Sequence, residues 1–180
     1  FKVFDKKQGT RELMYRDIAI LLRTTTDVAE IYEKELNKRG IPVYSDTSAN
    51  YLETTEIQTI ISLFKVINNP MQDIPLVTVL RSPIGDFSDN DLMEIRLNEK
   101  QGYFYEAMLK ARISVKEDLR NKINNFLEML EKFKEAEREK PLDELIWKIY
   151  QDTGYYNYVG LLNNGSLKMA NLKMLFERAK

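Results

Sequence analysis

Arg23 is the residue of this sequence that is best placed to meet a phosphate or another anion. It follows an uninterrupted apolar run, Ile18-Ala19-Ile20-Leu21-Leu22, which predicts a buried strand of a parallel sheet. Ligands of open α/β sheets bind at the carboxyl ends of strands, and a guanidinium there offers a fork of donors to a phosphate. The alternative is that Arg23 ends the strand in solvent. Composition alone favours that alternative, because a single arginine after an apolar run carries no motif specificity.

A helix and a second strand follow Arg23 and complete a predicted β-α-β unit with a right-handed crossover. Asp27 and Glu30 form a start that resembles a capping box, and Gly40 has the position expected just beyond the helix end. One helix face is apolar apart from a single glutamate, through Val28, Ile31, Tyr32, Glu35 and Leu36. Ile41-Pro42-Val43-Tyr44 is the predicted second strand, with its proline near the start, where the missing N–H does least harm.

Several kinds of chemistry are excluded by residue types that the sequence lacks. Without histidine and cysteine, no Ser-His or Cys-His nucleophile and no zinc or iron-sulfur site built from those ligands can form. There is no GxxxxGKS or GxxxxGKT phosphate loop, and Asp143-Glu144 lies in a helix-patterned stretch rather than at the end of an apolar strand, where it could hold magnesium. No metal site is predicted. An ATPase therefore cannot be assembled from this chain alone.

Composition and charge set further bounds. The 180 residues are 43% hydrophobic and 31% charged, which is typical of a globular protein that buries a core in one domain or two small ones. No stretch approaches about 18 consecutive apolar residues, and Phe1 to Thr10 lacks the apolar core of a signal peptide, which favours a cytoplasmic location without membrane contact. The net charge of −1 argues against strong independent DNA affinity, because lysine and arginine contacts to phosphate dominate nonspecific binding.

Three stretches resemble the region after motif IV in the UvrD/Rep/PcrA group of superfamily one DNA helicases. They are DIAILLR, LNKRGIPVY and ANYLETTEIQTIISLFKVINNPMQDIPLVTVLRSPIGDFSDNDL. Their spacing is matched over about the first hundred residues, through G-I-P-V, E-x-x-E-I, N-P and L-R-S-P. Within this group the sequence is most similar to the A subunits of the bacterial AddAB (RexAB) helicase-nucleases. The tail TGYYNYVGLLNNGSLKMANLKMLFERAK shares that likeness, which is weakest between about Lys110 and Lys140.

The resemblance implies a parent protein that is an ATP-dependent 3′ to 5′ DNA motor and also carries a nuclease domain. Such proteins process broken duplex ends for recombinational repair. Arg23 matches the motif IV arginine, which in that family reaches across a cleft to the γ-phosphate of ATP. ATP and Mg²⁺ would be bound mainly by parts of the parent chain outside these residues, which lie between motif IV and motif V. The implied partners are DNA, as single strand and duplex junction, and a second subunit of the AddB (RexB) type.

The resemblance also implies a contact to single-stranded DNA. Tyr51, Thr54, Thr55 and Glu56 occupy the positions of motif IVa, which lies close to the single strand in those helicases. Tyr51 could stack on a base, since aromatic stacking needs no sequence preference. The alternative is that Tyr51 is a hydrophobic staple residue before the cap of the next helix.

A second implied DNA contact is the turn that carries Arg81, Ser82 and Gly85. Related repair helicases have a T-P-x-R-G-I-G turn there that touches duplex backbone, and a glycine lets backbone N–H groups approach phosphates closely. This sequence has a single glycine and no arginine inside the turn, and Asp86 and Asp89 would repel phosphate. The pattern therefore favours a structural turn between two packed helices.

The predicted fold is mainly α with a small α/β portion. Residues 1–49 are expected to form a βαβ piece of a RecA-like lobe (2A) that carries the motif IV strand, with an exposed apolar sheet edge. Residues 50–180 are expected to form a helical 2B-like insertion of six or seven helices. Capping pairs and apolar periodicity predict its helix starts and its core; the starts are Thr55, Asp73, Ser88, Tyr103, Ser114, Pro141 and Ser166, and the core includes Leu92, Ile95, Leu97 and Trp147.

Tyr155, Tyr156 and Tyr158 lie close to one another in the sequence. They are expected to pack against other helices rather than to stack on bases, because no basic residue is interleaved with them.

Two other functions remain open. One is a helical interaction module that binds a partner subunit and never touches DNA. The other is an unrelated α/β phosphate-binding enzyme, which ranks last because the sequence lacks a glycine-rich turn between a strand and a helix.

Overall fold

The computed structural model describes residues 1–6, 9–24, 28–43 and 48–180, and it is mainly helical, as predicted. It divides into two compact units, Phe1–Tyr51 and Leu52–Lys180. The first unit contains the strands β1 (Lys2–Asp5) and β2 (Gly9–Glu12), a 3-10 helix at Tyr15–Asp17 and the helix α1 (Val28–Lys38). A second 3-10 helix, Ser48–Glu53, leads into the helices of the second unit. These are α2 (Thr55–Asn68), α3 (Asp73–Arg81), α4 (Asp89–Asn98), α5 (Phe104–Ser114), α6 (Glu117–Glu139), α7 (Leu142–Thr153), α8 (Tyr155–Gly160) and α9 (Gly165–Ala179).

The first unit begins with an antiparallel hairpin. β1 and β2 pair with Lys2 opposite Glu12 and Asp5 opposite Gly9. The Arg11 guanidinium on β2 donates to both carboxylate oxygens of Asp17, at 2.6 Å each. This bidentate hydrogen bond, together with the Met14 N–H, holds the pKa of the Asp17 carboxyl well below its usual range. The hairpin is thereby tied to the 3-10 helix that immediately precedes the apolar run.

The predicted strand over the apolar run of residues 18–22 is wrong. Residues 18–24 have irregular backbone, and the side chains of Ile20 and Leu21 are 52% and 94% exposed. A buried parallel strand needs paired neighbours and cover on both faces. The sheet that the described residues form contains only β1 and β2, so the apolar run has no such neighbours here.

Of the predicted β-α-β unit, the described residues form only the helix, α1. α1 ends as predicted: Gly40 has a φ of +71°, and the Ile41 N–H donates to the Leu36 carbonyl at 3.0 Å, which closes the helix in the way that glycine favours. Residues 41–43 form no strand. Asp27 and Tyr44, and with Asp27 the predicted capping box, lie outside the described residues.

The second unit is a helical array around one apolar core. α2 is apolar over most of its circumference and contacts α3, α6 and α9, which is the burial expected for such a helix. The long helix α6 buries one stripe at spacings of three and four residues. The core side chains of α2 and α6 are Ile57, Ile60, Leu63, Val66, Ile67, Leu119, Ile123, Phe126, Leu130, Phe133 and Ala136.

Helix boundaries with strong local chemistry agree with the sequence. α2 ends at Asn68, before Pro70, as expected. At the start of α4 the Ser88 N–H donates to the Asp91 carboxylate at 2.9 Å, and the Asp91 N–H donates to Ser88 Oγ at 3.2 Å. This reciprocal pair is the predicted capping box.

Two predicted caps are wrong. The residue that caps α2 is Thr54 rather than Thr55. The residue that caps α6 is Lys116, because Ser114 instead completes α5. The Ser114 hydroxyl is engaged there with Asn98 and with the Ala111 carbonyl, so it is not available to α6.

Two predicted core residues are also wrong. Leu97 is 60% exposed, because it lies two residues from the buried Ile95 and so about 200° further round α4. Trp147 is 42% exposed, since it falls beside the buried stripe of α7 formed by Leu145, Ile146 and Ile149. Leu92 and Ile95 are buried as predicted.

The three tyrosines after Gly154 lie on the short helix α8. Tyr155 is buried, Tyr156 is half-buried and Tyr158 is exposed. Tyr156 stacks on Tyr150, with 5.7 Å between the ring centroids. Two of the three tyrosines therefore pack as expected, while Tyr158 faces solvent. Within the ranges that the structure describes, no helix combines the length and the apolar character needed to span a membrane.

Candidate functional site

Arg23 lies in a bend after the apolar run, and its side chain is exposed. It makes no hydrogen bond or ion pair within the described part of the chain. Arg23 was predicted to lie at the end of a strand, and this prediction is wrong, because residues 18–22 do not form a strand. Among the described residues nothing compensates its guanidinium, which has the donor geometry to meet an anion carried by another part of a protein.

The residues predicted to contact single-stranded DNA lie where the 3-10 helix Ser48–Glu53 is followed by α2. Tyr51 is half-buried in the 3-10 helix Ser48–Glu53, Thr54 caps α2 with extended backbone, and Thr55 is the exposed first residue of that helix. The Thr54 carbonyl accepts from the N–H groups of Ile57 and Gln58, at 3.1 and 2.9 Å. Gln58 Nε2 donates to the Leu52 carbonyl at 2.7 Å, which ties the 3-10 helix to the first turn of α2.

Glu56, in the first turn of α2, is the charged residue among the three buried polar residues that the structure describes. It is 3% exposed. Lys168 Nζ donates to its Oε2 at 2.9 Å, and Asn171 Nδ2 donates to its Oε1 at 2.8 Å. Both partners lie on α9. The carboxylate therefore joins the start of α2 to α9 through one charged and one neutral donor.

The protonation of Glu56 follows from these contacts. Burial acts to raise the pKa of the carboxyl, but hydrogen bonds from Asn171, Lys168, its own backbone N–H and the Thr54 hydroxyl outweigh burial and hold the pKa below its ordinary value. Glu56 is thus an ionised carboxylate at neutral pH, compensated by Lys168. The negative charge also lies at a helix N-terminus, where the helix dipole favours it.

Two tyrosine hydroxyls reinforce this junction of helices. The Tyr150 hydroxyl on α7 donates to the Leu172 carbonyl on α9 at 3.0 Å. The Tyr155 hydroxyl on α8 donates to the Glu56 carbonyl on α2 at 3.4 Å. Burial raises the pKa of both phenols above the ordinary value, so both remain neutral donors at neutral pH.

The turn between α3 and α4 uses its own backbone amides. Ser82 accepts at its carbonyl from the N–H groups of Gly85 and Asp86, at 3.1 and 2.9 Å, and at its Oγ from the Ile84 N–H, at 3.2 Å. The Phe87 N–H donates to the Leu80 carbonyl at 2.9 Å. The amides of residues 84–87 are therefore engaged inside the turn, where a bound phosphate would have needed them.

Gly85 is explained by close packing of the turn on α3. A Cβ at this position would lie 2.6 Å from both Cα and the carbonyl oxygen of Leu80, closer than any side chain can approach. Arg81 is mostly exposed and pairs with Asp89, with Nε 3.0 Å from Oδ1. Lys122 on α6 donates to the Asp86 carbonyl and to the Asp91 carboxylate, at 3.0 Å each. These contacts support the structural interpretation of the turn.

An open cleft of about 490 Å³ lies along α7 and the end of α9. Trp147 and Phe176 line it, with their ring centroids 5.5 Å apart. Its charged lining includes two i,i+4 ion pairs, Lys140 with Glu144 and Lys148 with Asp152. The cleft contains none of the predicted site residues. Among the residues that the structure describes, no three acidic side chains are grouped so that they could hold a metal ion.

The sequence did not single out the partners of Glu56. Glu56 itself appears in the E-x-x-E-I pattern, but nothing in the sequence pairs it with residues 112 and 115 positions later. The available signal is a lysine and an asparagine three residues apart on an amphipathic helix, which is too common to be specific.

Comparison with known proteins places the chain in a family. The model of the UvrD-like helicase C-terminal domain matches residues 3–180. The chain is 49% identical over 182 residues to a protein of Thermoanaerobacter sp. (strain X514) that is named as the A subunit of an ATP-dependent helicase/nuclease, covering 100% of this chain and 15% of that protein. Proteins of the same name from Clostridium botulinum (strain Loch Maree / Type A3) and Clostridium novyi (strain NT) are 45% identical over 206 residues and 46% identical over 186 residues. They match 99% and 100% of this chain, which spans 16% and 15% of their lengths. The chain therefore belongs to the UvrD-like helicase C-terminal domain family.

Proposed function

We propose that this chain is a segment of an ATP-dependent DNA helicase-nuclease that unwinds and processes double-strand breaks for recombinational repair. The observation that carries the proposal is the identity of 45% to 49%, over essentially all of the chain, to proteins named as A subunits of ATP-dependent helicase/nucleases. The proposed DNA substrate, cytoplasmic location and second subunit of the AddB (RexB) type follow from the same resemblance.

In this proposal the first unit is part of a RecA-like lobe (2A), and the second unit is the helical 2B-like insertion. The exposed Ile20 and Leu21 support the first assignment, because a completed sheet would bury them. ATP and Mg²⁺ would be held mainly by other parts of the parent protein. Mg²⁺ would neutralise charge on the phosphates of ATP when bound.

Arg23 is the residue through which this segment would act on ATP. A guanidinium that one lobe carries and that engages only when the cleft closes stabilises the charge that develops on the transferred phosphoryl group. It thereby couples hydrolysis to movement of the lobes. The exposure of Arg23 and its lack of a partner among the described residues support this role.

Tyr51, Thr54 and Thr55 are the proposed contacts to single-stranded DNA. Tyr51 would offer a stacking face, and Thr55 would offer an exposed hydroxyl at the start of α2. For the turn that carries Arg81, Ser82 and Gly85, we propose a duplex contact by Arg81 alone. The turn amides are engaged internally, so the Arg81 side chain is the group that could reach duplex backbone. To do so, it would have to break its ion pair with Asp89.

A second candidate function is a helical interaction module within a multi-subunit complex, without a direct DNA or ATP role. Large apolar side chains that stand exposed on the second unit favour it, among them Ile74, Ile113 and Leu161. The net charge of −1 for the 180 residues also favours this function, because a chain without excess positive charge attracts DNA weakly.

Strand displacement by the full-length protein with its second subunit tests the proposal. We expect a blunt-ended duplex to be unwound with ATP, and to remain intact with a non-hydrolysable ATP analogue. If the protein separates no strands and hydrolyses no ATP in the presence of DNA ends, the proposal is wrong. If replacement of the second unit by a short linker abolishes binding of the second subunit but leaves DNA affinity and DNA-stimulated ATP hydrolysis unchanged, the interaction module is the better account of that unit.

A further inference from the structure

We infer that Glu56 is a positioning residue for the single-strand contact: its carboxylate, anchored on α9 by Lys168 and Asn171, sets the start of α2 in the conformation that presents Thr55 to DNA. The inference rests on the proposed function, since it concerns the strand that a helicase would hold at this segment. Glu56 itself, at 3% exposure, does not reach the DNA.

Two hydrogen bonds tie the Glu56 carboxylate to α9. Lys168 and Asn171 donate to it at 2.9 and 2.8 Å, one to each oxygen. Because Glu56 lies in the first turn of α2, these two bonds fix that turn relative to α9.

The two threonines differ in exposure. Thr54 is half-buried just before the first turn of α2, whereas Thr55 follows directly and is exposed, so the Thr55 hydroxyl is the one that can reach a phosphate oxygen. Thr54 would then orient the backbone, and Thr55 would make the contact.

Stability alone does not account for an ion pair at this place, in which the Glu56 side chain is 3% exposed and the Lys168 side chain is 27% exposed. Desolvation of the buried carboxylate offsets much of the attraction between the two charges, and apolar side chains of similar volume often stabilise a core as well or better. What a charged, multiply hydrogen-bonded pair adds is a fixed geometry. Glu56 lies one residue after Thr55, so that geometry is imposed on the segment proposed to meet the strand.

The test measures DNA-stimulated ATP hydrolysis by the full-length protein with oligo(dT) as the single strand. It separates the DNA concentration for half-maximal stimulation from kcat at saturating DNA. For Glu56→Gln we expect the half-stimulating concentration to rise about tenfold, with kcat changed less than about twofold, as for lost binding interactions. Glu131→Gln is the matched control, because it removes a carboxylate from an exposed pair with Lys134. Both of its parameters should remain within about twofold of wild type.

Asn171→Ala is the second variant, because it removes one donor and keeps the ion pair. It should also raise the DNA concentration for half-maximal stimulation, but by less than Glu56→Gln does. If either variant melts cooperatively as wild type does and the DNA concentration dependence is unchanged, Glu56 is only structural and the inference is overturned. If both variants fail to fold while Glu131→Gln folds, Glu56 is a stability residue and the inference is overturned as well. If DNA does not stimulate the wild-type protein, the proposed function has failed and the inference falls with it.

Discussion

Glu56 and Lys168 meet across 112 positions of the chain, with Oε2 2.9 Å from Nζ. The contact joins α2, the first helix of the second unit, to α9, its last. The helices α3 to α8 come between the two in sequence, with Leu80, Ile123 and Phe133 among their buried side chains. A single buried carboxylate is therefore a closing contact of the helical array, and it lies beside the segment for which we propose a DNA role.

The first prediction concerns the pH dependence of folding. Because the pKa of Glu56 is lower in the folded chain than its ordinary value of 4.5, the ionised carboxylate stabilises the fold above that pH. The stabilisation is lost as the pH falls through the folded-state pKa. Urea unfolding of the 180-residue chain between pH 7 and pH 3 should show a steeper loss of the free energy of unfolding for wild type than for Glu56→Gln. Parallel curves would contradict this role of the carboxylate.

The second prediction concerns the turn between α3 and α4. Gly85→Ala should lower the free energy of unfolding by about 1–3 kcal/mol, the usual cost of overpacking, because the new methyl group would lie 2.6 Å from the Leu80 backbone. Gly154→Ala is the comparison, since its φ is +66° but nothing lies within 4 Å of the added Cβ. It should cost about 1 kcal/mol from backbone strain alone. A smaller loss for Gly85→Ala than for Gly154→Ala, measured by urea unfolding, would refute the close-packing explanation.

The third prediction concerns the hydroxyl of Tyr150. Tyr150→Phe removes the 3.0 Å hydrogen bond to the Leu172 carbonyl and should lower the free energy of unfolding by about 1 kcal/mol. Tyr158→Phe is the control, because Tyr158 is exposed on α8 and the change should have almost no effect. Equal melting temperatures for the two variants would mean that the Tyr150 contact does not hold α7 on α9.

The fourth prediction separates the two interpretations of Tyr51. If the ring stacks on a base, Tyr51→Ala should weaken oligo(dT) binding to the full-length protein by about 5- to 150-fold, corresponding to about 1–3 kcal/mol. Tyr51→Phe keeps the ring and should bind nearly as wild type. If Tyr51 is only a staple residue before α2, Tyr51→Ala should lower the melting temperature and leave the affinity for DNA unchanged. Fluorescence anisotropy of labelled oligo(dT) measures the affinity directly.

Local chemistry made several helix boundaries predictable from the sequence. The Ser88 and Asp91 capping box, the stop at Asn68 before Pro70 and the glycine after α1 each act within a few residues, so their signals are complete in the sequence. The wide apolar face of α2 predicted its burial for the same reason. Ser114 could either end α5 or cap α6, and in the structure it is the last residue of α5.

Features that need distant partners were not predictable in the same way. The apolar run before Arg23 carries the pattern of a buried strand, but a strand needs neighbours to pair with, and the described residues supply none. Trp147 and Leu97 were misplaced because hydrophobicity was counted without the angle of each residue around its helix. The Glu56 contacts with α9 depend on how α2 and α9 pack, which no local pattern specifies.

The placement of Arg23 at the γ-phosphate of ATP is the claim on which the helicase account depends most. The most direct measurement is DNA-stimulated ATP hydrolysis by the full-length protein, comparing wild type with Arg23→Ala, with ATP affinity measured separately. Arg39→Ala, which removes another exposed arginine of the first unit, is the matched control. The account predicts that Arg23→Ala lowers kcat by about 10³-fold or more with nearly unchanged ATP binding, and that Arg39→Ala does neither. A kcat for Arg23→Ala within a few-fold of wild type would contradict it and leave Arg23 a surface residue.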